Sequence, residues 1–329
     1  MRGRPKGTIL ARMSGIPGHD QLVLTRHRNT VVADDRALRR AAERGDMTRL
    51  RTGAYVSTAV WNALTKEDRH RLAAAAAAEM NAAFVASHRT AAALHGVPLL
   101  GAGDGLVHTR VSEAAGSRTE HGCRKHAVAD LELHVVTVDG IARSTLERTI
   151  VDLALSESFE SAIVAADWAL RNGATKDSLR AALDELAPKR GRTRVEAVIA
   201  FADAASGSVG ESYSRVLIER SGFPSPLLQA AFSDARGLIG YVDFFWPDFR
   251  LIGEFDGMEK YSKKAFVGQK VPAEVVTDEK IREDRLRASA SRPAVSRWIW
   301  PTLMAHGALE RQLRAAGLPT SRRRSGVFG

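Results

Sequence analysis

The spacing of hydrophobic residues changes along the chain, and each spacing is typical of one kind of element. Leu146, Ile150 and Leu153 lie three or four residues apart and predict the buried stripe of a helix. Short apolar runs bounded by glycines predict strands. Helices are expected from Asp34 to Gly45, from Thr65 to about Ala82, over 159–171, 175–186, 193–205, 211–221 and 278–289, and in a last stretch to about 315. Strands are expected near 84–86, 106–109, 131–138, 226–232, 238–246, 250–256 and 294–300.

Polar residues mark several of the helix starts. Thr65 with Asp68 three residues later predicts a capped helix, and Ser144 with Glu147 predicts another. The Ser144 hydroxyl is therefore interpreted as a helix cap.

The alternating segment 49–56 predicts a β-ribbon that bends at Gly53. Arg49 and Arg51 lie on this ribbon, as basic residues do on the wing of a winged helix. Arginines there are candidates for contacts with backbone phosphates.

The order of the elements predicts an α+β or α/β protein rather than a helical bundle, because strands and helices are mixed and two hairpin strands are adjacent. Composition changes at 206–210, where Gly and Ser replace the helical pattern. The predicted organisation is a basic flexible arm over 1–30, a winged-helix-like α+β region over 31–142, a helical connector over 143–206, a mixed sheet flanked by helices over 207–318, and a basic tail over 319–329.

Charge adds a candidate partner. The chain of 329 residues has 48 Lys and Arg against 38 Asp and Glu, which gives a net charge of +10. Residues 1–60 carry 12 basic and 5 acidic side chains, and residues 209–329 carry 19 and 14. Two basic ends favour a polyanionic partner such as DNA. A composition rich in Arg and Ala is the alternative source of the high pI.

Cysteine content and hydropathy exclude several classes. Cys123 is the one cysteine, so there is neither an internal disulfide framework nor a Cys-based zinc site. Apolar runs are far shorter than a membrane span requires, and no signal-peptide pattern opens the chain. We therefore expect a cytoplasmic protein without a membrane partner.

The segment Arg2-Gly3-Arg4-Pro5-Lys6 resembles the core of an AT-hook, which lies in narrow A·T-rich minor grooves. Arg2 and Arg4 are therefore candidate DNA contacts. A disordered basic tail, or a start codon placed too early, is the alternative.

The densest chemical signal is an acidic hairpin. With a turn at Asp248 and Phe249, Trp246 pairs with Leu251 and Asp243 lies opposite Glu254, while Asp256 points to the same face by strand alternation. Carboxylates so close together repel each other unless a cation neutralises them. Mg²⁺ or Mn²⁺, which take oxygen ligands, are the expected cofactors of a phosphodiester site. The alternatives are a solvated face with Lys or Arg partners, or a register shifted by one residue.

Two further residues fit this site. Glu211 begins a helix and is a candidate outer metal ligand, and its alternative role is an i,i+4 pair with Arg215 together with a contact to the helix dipole. Lys260 is a candidate cation for a pentavalent phosphate. Its alternative role is that of one more lysine in a basic loop. Candidate nucleic-acid contacts in the same region are Lys263, Lys264 and Lys280.

Four motifs in order resemble a group of actinobacterial proteins whose C-terminal part is similar to a very-short-patch-repair-like branch of the PD-(D/E)XK nuclease superfamily. They are Gly210-Glu211-Ser212, Asp243-Phe244 before Trp246-Pro247, Gly253-Glu254-Phe255-Asp256-Gly257 before Lys260-Tyr261, and Glu279-Lys280 before Arg282-Glu283-Asp284-Arg285. The resemblance covers about 208–302. It implies a restriction-endonuclease-like core with a helix before a mixed sheet, with Asp243 and Glu254 as metal-binding catalytic carboxylates and Glu211 as the helix acid.

One position departs from that superfamily. It has lysine two residues after the second acid, and this chain has Asp256. Either Lys260 or Lys280 supplies the cation, or the site binds metal and cuts nothing.

The N-terminal part resembles the winged-helix proteins of the abortive-infection antitoxin type (AbiEi-like). The residues that carry this are Arg51-Thr52-Gly53-Ala54-Tyr55-Val56, Trp61, Asp68-Arg69, Ser87-His88-Arg89-Thr90 and Leu94-His95-Gly96. The family implies DNA binding and repression of its own operon. A winged helix needs a second helix before the ribbon, so 16–30 is expected to supply it. His88 and His95 are interpreted as packed or capping histidines rather than as a ligand pair.

Together these observations predict a DNA-binding protein with a Mg²⁺-dependent endonuclease domain, in phage defence or DNA repair. The alternative is a transcriptional regulator of the antitoxin type with a catalytically silent nuclease fold. A homodimer and a toxin partner are further expectations.

Overall fold

The computed structural model describes residues 15–27, 30–31, 34–188, 190–257, 281–289 and 292–320. They form a mixed α+β protein that divides into two compact units. Unit 1 comprises the described residues up to Glu157 together with Ala174–Glu196, and unit 2 comprises Ser158–Gly173 together with the described residues from Ala197 onward. The predicted helical connector is therefore divided between the units. None of the described helices is long and apolar enough to cross a membrane.

Unit 1 is built from short strands and from helices of 6 to 15 residues that alternate with them along the chain. Its strands are β1 (Val23–Leu24), β2 (Arg26–His27), β3 (Thr30–Val31), β4 (Met47–Arg51), β5 (Ala54–Ser57), β6 (Val107–Ser112), β7 (Arg118–Glu120), β8 (Cys123–Val128), β9 (Val135–Val138) and β10 (Ile141–Ser144). Its helices are α1 (Asp35–Glu43), α2 (Thr58–Ala63), α3 (Lys66–Met80), α4 (His88–His95), α5 (Leu146–Ser156) and α7 (Lys176–Leu186).

The predicted ribbon is confirmed as the antiparallel pair β4 and β5, with β1 on the other side of β5. Gly53 at the bend has φ +79°, a conformation that favours glycine. The predicted cap of α3 is also confirmed, since the Thr65 side chain accepts a backbone N–H group, and the Asp34 side chain caps α1 in the same way. The expected second helix is wrong for the described part of 16–30, which holds one 3₁₀ turn, His19–Gln21, and short strands.

A three-residue extended segment connects two sheets of unit 1. The backbone of residues 85–87 pairs with β6 on one side and with β10 on the other, through Arg110 N–H to Val85 O (3.0 Å) and Ser144 N–H to Ala86 O (2.8 Å). Because α4 begins directly after this segment, its first residue, His88, is held next to β6. The strand β6 also pairs in parallel with β8.

A further sequence expectation in this unit is wrong, and one strand was missed. The cap of α5 is Thr145, whose side chain accepts the Arg148 N–H (3.3 Å), whereas Ser144 is the buried last residue of β10. The strand β8 was not expected at all. The polar run Arg124-Lys125-His126 does not show the apolar alternation of a strand, and Cys123 is the residue of β8 that belongs to the apolar core.

The expected elements of unit 2 are confirmed with small changes of boundary. They are α6 (Phe159–Arg171), α9 (Val209–Arg220), β11 (Leu227–Asp234), β12 (Gly237–Trp246), β13 (Leu251–Phe255), α10 (281–288), β14 (Ala294–Trp298), α11 (Trp300–Met304) and α12 (Ala308–Ala315), while α8 (Arg192–Phe201) crosses the boundary between the units.

The sheet of unit 2 is mixed and has the order β11-β12-β13-β14. The first three strands form an antiparallel meander, and β14 lies parallel to β13. Aromatic side chains of β12, β13 and β14, among them Phe244, Trp246 and Trp298, fill the core beneath α9. This packing holds the first turn of α9 close to the end of β13, where Gly210 lies against the Phe255 ring.

Candidate functional site

The acidic hairpin has the register that the sequence predicts. Trp246 pairs with Leu251, and Phe244 pairs with Gly253, after a 3₁₀ turn at Pro247–Phe249. Asp243 and Glu254 are the next residues along the two strands. The alternative register, shifted by one residue, is therefore wrong.

Asp243 is bound from two sides. Its Oδ2 accepts the backbone N–H of Phe255 at 2.8 Å, so the carboxylate lies at the end of β13. Its Oδ1 is 3.5 Å from Nε2 of Gln229 on the neighbouring strand β11. The same Nε2 donates to Oε2 of Glu211 at 3.0 Å. One neutral amide thus brings together the carboxylates of β12 and α9.

Glu211 is held by the start of its own helix. The Ser208 hydroxyl caps α9 by accepting the Glu211 N–H (3.2 Å), and Oε2 of Glu211 accepts the Gly207 N–H (2.7 Å). The alternative i,i+4 pair with Arg215 is wrong, because the Arg215 guanidinium binds both oxygens of buried Asp167 at 2.8 and 2.9 Å. Glu211 therefore keeps its contact with the helix N-terminus and turns its carboxylate towards the sheet.

Glu254 is compensated by arginines. Its side chain is buried, Oε1 accepts Nη2 of Arg282 at 2.8 Å, and Oε2 accepts Nε of Arg297 at 2.9 Å. Arg297 also pairs with Glu283 at 2.7 Å. The alternative expected from the sequence, arginine partners for the acidic face, thus holds for Glu254. The carboxylates of Glu211 and Asp243 instead share a neutral amide.

The other predicted site residues do not join the group of Glu211, Asp243 and Glu254 in the described part of the chain. Asp256 is half-buried, its backbone N–H donates to Trp298 O (2.8 Å), and its carboxylate makes no hydrogen bond to the other acids within the described part of the chain. On the ribbon, Arg49 is exposed and donates to Thr52 Oγ1 at 2.9 Å, while Arg51 is half-buried. Outside the described residues lie Arg2, Arg4, Lys260, Lys263, Lys264 and Lys280.

A second cluster, not expected from the sequence, lies in unit 1. His88 at the start of α4, His108 on β6 and His126 on β8 converge so that one ring nitrogen from each lies within 4.8 Å of the others. We call these three residues the histidine cluster. Alternation along β6 and β8 explains the placement, because Val107 and Cys123 point into the apolar core and their even-numbered neighbours point to the opposite face.

The three rings are packed in one buried group. Nε2 of His126 and Nδ1 of His108 are 3.0 Å apart, and the rings of His88 and His126 stack with centroids 3.6 Å apart. Nε2 of His108 lies 3.2 Å from Oδ1 of Asp104. Asp152 on α5 approaches from the other side, with Oδ2 3.8 Å from Nδ1 of His88.

Burial controls the protonation of the cluster. Desolvation, reinforced by the neighbouring rings, lowers the pKa of His88 to about 3 and that of His126 to about 3. Burial also lowers the pKa of His108, although Asp104 acts in the opposite direction. The pKa of Asp152 is raised by burial, against the effect of Arg148, whose Nε donates to Oδ1 at 2.9 Å. The rings are therefore neutral at physiological pH.

His95, which the sequence pairs with His88, does not join the cluster. Its Nε2 contacts the carbonyl oxygen of Ser144 at 2.8 Å, so it is a packed histidine, as expected. The interpretation of His88 as a packed or capping residue missed His108 and His126. The signal that would have found them is a histidine on the polar side of two strands, but the second strand was not predicted.

Comparison with known proteins adds little about function. No protein-family model matches the chain. It is similar to two uncharacterized proteins from two strains of Mycobacterium tuberculosis, each 30% identical over 118 residues, which are 36% of this chain and 44% of the relative. The chain thus spans less than half the length of the curated relatives it matches. The function is therefore argued from the two clusters themselves.

Proposed function

We propose that this chain is a DNA-binding protein whose unit 2 hydrolyses phosphodiester bonds with Mg²⁺ or Mn²⁺. The observation that carries the proposal is the convergence of Glu211 and Asp243 on Gln229, with Glu254 across the hairpin from Asp243. These are the three acids for which the resemblance to the PD-(D/E)XK superfamily implies a catalytic site.

The order of elements supports the same proposal. Helix α9 precedes the antiparallel meander of β11, β12 and β13, and α10 leads to β14, which lies parallel to β13. A helix before a mixed sheet is the arrangement that the resemblance to restriction-endonuclease-like proteins implies. We propose this fold for unit 2.

The donor set fits a hard divalent cation. Glu211 and Asp243 offer carboxylate oxygens, which Mg²⁺ and Mn²⁺ prefer, and both contact the neutral side-chain amide of Gln229. Bound to these acids, the cation would supply Lewis acidity towards a phosphate oxygen and a more acidic water. Neighbouring backbone N–H groups, such as that of Phe255, keep the Asp243 carboxylate in one orientation.

Arginines replace the missing lysine in this proposal. Arg282 and Arg297 hold Glu254 and place two positive charges beside the acidic group. Fixed positive charge next to a phosphate stabilises the negative charge that develops during phosphoryl transfer. These guanidinium groups thus supply the cation that Asp256 cannot.

DNA would be held by the basic residues outside the acidic group. Arg49 and Arg51 lie on the ribbon of β4 and β5, which we propose acts as the wing of a winged-helix-like module. Contacts of this kind position the duplex without reading its sequence. Binding that weakens steeply with salt is the expected consequence.

A second candidate is a DNA-binding regulator of the antitoxin type in which unit 2 is catalytically silent. Both oxygens of Glu254 already accept arginine N–H groups, and Asp256 stands in the position of the superfamily lysine. An acid compensated in this way needs no metal. Phage defence or DNA repair, a homodimer and a toxin partner remain proposals for either candidate.

The deciding experiment is cleavage of supercoiled plasmid and of a labelled duplex by the full chain with Mg²⁺, Mn²⁺ or EDTA. Asp243→Asn and Glu211→Gln are compared with Asp248→Asn, an acid in the hairpin turn outside the group. Metal-dependent cutting that is lost in the first two and kept in the third supports the nuclease. Salt-sensitive binding without cutting in any metal, unchanged by the three substitutions, supports the regulator.

A further inference from the structure

We propose that His88, His108 and His126 form a zinc site in unit 1, with Asp152 as its fourth ligand. The three imidazoles lie on α4, β6 and β8, and the carboxylate lies on α5. Their ligand nitrogens lie within 4.8 Å of one another. The site is separate from the acids of unit 2 and does not depend on the proposed nuclease.

The spacing of the nitrogens suits one shared ion. Tetrahedral zinc with Zn–N bonds of about 2.0–2.1 Å separates neighbouring nitrogens by about 3.4 Å. Nδ1 of His108 and Nε2 of His126 are 3.0 Å apart, so a small displacement would admit the ion between them. His88 stacks on His126 and would supply the third nitrogen ligand.

A carboxylate orients one of the ligands. Asp104 faces Nε2 of His108 at 3.2 Å, which places the proton on Nε2 and leaves the lone pair of Nδ1 directed at the cluster. Arg124 pairs with Asp104 at 3.1 Å and holds it there. A carboxylate behind a histidine in this way is the usual second partner of a metal-binding imidazole.

Two buried polar atoms point into the cluster without a hydrogen-bond partner among the described residues. They are Nδ1 of His88 and Oδ2 of Asp152, which face each other across 3.8 Å. Buried polar atoms are nearly always hydrogen-bonded, so an orphaned pair needs an explanation. His88 is in addition held at φ +47°, a left-handed conformation that non-glycine residues rarely adopt and that concentrates at functional sites. A bound cation would satisfy both atoms.

The donor set selects zinc over the metals proposed for unit 2. Three imidazoles and one carboxylate form a borderline-soft set that suits zinc, whereas Mg²⁺ requires oxygen ligands. The positive groups nearby are mostly compensated. Arg148 binds Asp152, and Arg110 donates to the carbonyl oxygens of Leu131 and Leu133.

An entry path and a role follow from the location. Asp104 lines an open groove of about 580 Å³, and we propose that an ion enters from the side of Asp104. The four ligands come from elements spread over 88–152, and one ion would crosslink them. With four protein ligands the site is closed, so we assign it a structural role in unit 1.

The test is zinc binding by the full chain after removal of metal with a chelator. Zinc content per chain and the visible absorption of substituted Co²⁺ are measured for the unaltered protein, His108→Gln and His126→Gln. Two controls are His121→Asn, an exposed histidine at φ +49° just before β8, and Asp243→Asn in unit 2. We expect one zinc per chain, at least tenfold weaker binding in both cluster variants, and unchanged binding in both controls.

The Co²⁺ spectrum of the unaltered chain keeps the proposal testable even if a cluster variant fails to fold. Intense tetrahedral bands and a rise in the melting temperature with zinc are expected. Weak octahedral bands, or zinc binding that His121→Asn reduces and the cluster variants leave unchanged, would overturn the proposal.

Discussion

The two clusters of this chain handle buried polar groups in opposite ways. In unit 2, each oxygen of the Glu254 carboxylate accepts an arginine N–H group. In unit 1, His88 and His126 are kept neutral by burial, and in the part of the chain that the structure describes Nδ1 of His88 and Oδ2 of Asp152 have no hydrogen-bond partner. Glu254 thus has partners for both oxygens, whereas a bound zinc ion, as we propose, would satisfy the atoms of the histidine cluster. Glu211 and Asp243 differ from both cases, because they contact the same neutral amide of Gln229.

The largest expected effect tests how strongly compensated charge stabilises unit 2. In Arg215→Met, buried Asp167 loses a guanidinium that binds both of its oxygens. An uncompensated buried charge costs about 3–5 kcal/mol, so we expect that loss in the free energy of unfolding of unit 2. This loss is measured by urea denaturation, with hydrogen exchange of the α9 amides as the readout for unit 2.

The control for that variant is Arg220→Met, which removes the half-exposed ion pair with Glu160 in the same unit. About 1 kcal/mol or less is expected there, because solvent screens the pair. Equal losses of unfolding free energy in the two variants would show that burial does not determine how much each ion pair contributes to stability.

A second substitution separates the position of Glu211 from its charge. In Gly210→Ala the new Cβ would lie 2.0 Å from Cε1 of Phe255, so α9 and the Phe255 ring must separate, and we expect α9 to move. Overpacking of this kind costs about 1–3 kcal/mol. Because Glu211 moves with α9, plasmid cleavage should fall more than the folded fraction of the protein does. Both quantities are measured at a temperature where most of the variant is folded. Cleavage that simply follows the folded fraction would contradict the proposed role of Glu211.

A third substitution tests the carboxylate behind the histidine cluster. Asp104→Asn keeps the size of the side chain but no longer fixes the proton on Nε2 of His108. Loss of such a partner weakens metal binding about 10–100-fold, so zinc affinity should fall by that factor in a competition titration with a chelator. Asp177→Asn, an exposed acid in the same unit, is the control. Equal zinc affinity in both variants would remove the argument for His108 as a ligand.

The smallest effect concerns DNA binding by the ribbon. Replacing Arg49 and Arg51 with Gln should leave the melting temperature unchanged, because one side chain is exposed and the other half-exposed. If both arginines contact phosphates, the slope of log K for DNA binding against log salt concentration becomes less steep by about 1.8. An unchanged slope in a fluorescence titration of duplex DNA would place the interface elsewhere.

Much of unit 2 could be predicted from the sequence, because its decisive contacts are local. The hairpin that pairs Phe244 with Gly253 is closed by one short turn, so its register follows from the turn and from strand alternation. The alternative partners of Glu254 were foreseen as a class, arginine or lysine. Which arginines they are depends on α10 and β14, which are distant in sequence.

The histidine cluster could not be predicted in the same way. Its members come from residues 88, 108 and 126, and β6 and β8 pair in parallel through a connection that contains β7. The register of such a pair is not set by a tight turn. The predicted cap of α5 was wrong for a more local reason. Ser144 and Thr145 are both residue types that cap helices well, and Ser144 is the last residue of β10.

The central claim is that the two units bind different metals with different donor atoms. The most direct measurement is the Zn²⁺ and Mn²⁺ content of the full chain after equilibrium dialysis against both metals, for the unaltered protein, Asp243→Asn and His126→Gln. The account predicts that Asp243→Asn loses Mn²⁺ and keeps Zn²⁺, and that His126→Gln loses Zn²⁺ and keeps Mn²⁺. Loss of both metals in either folded variant, or of neither in both, would contradict it.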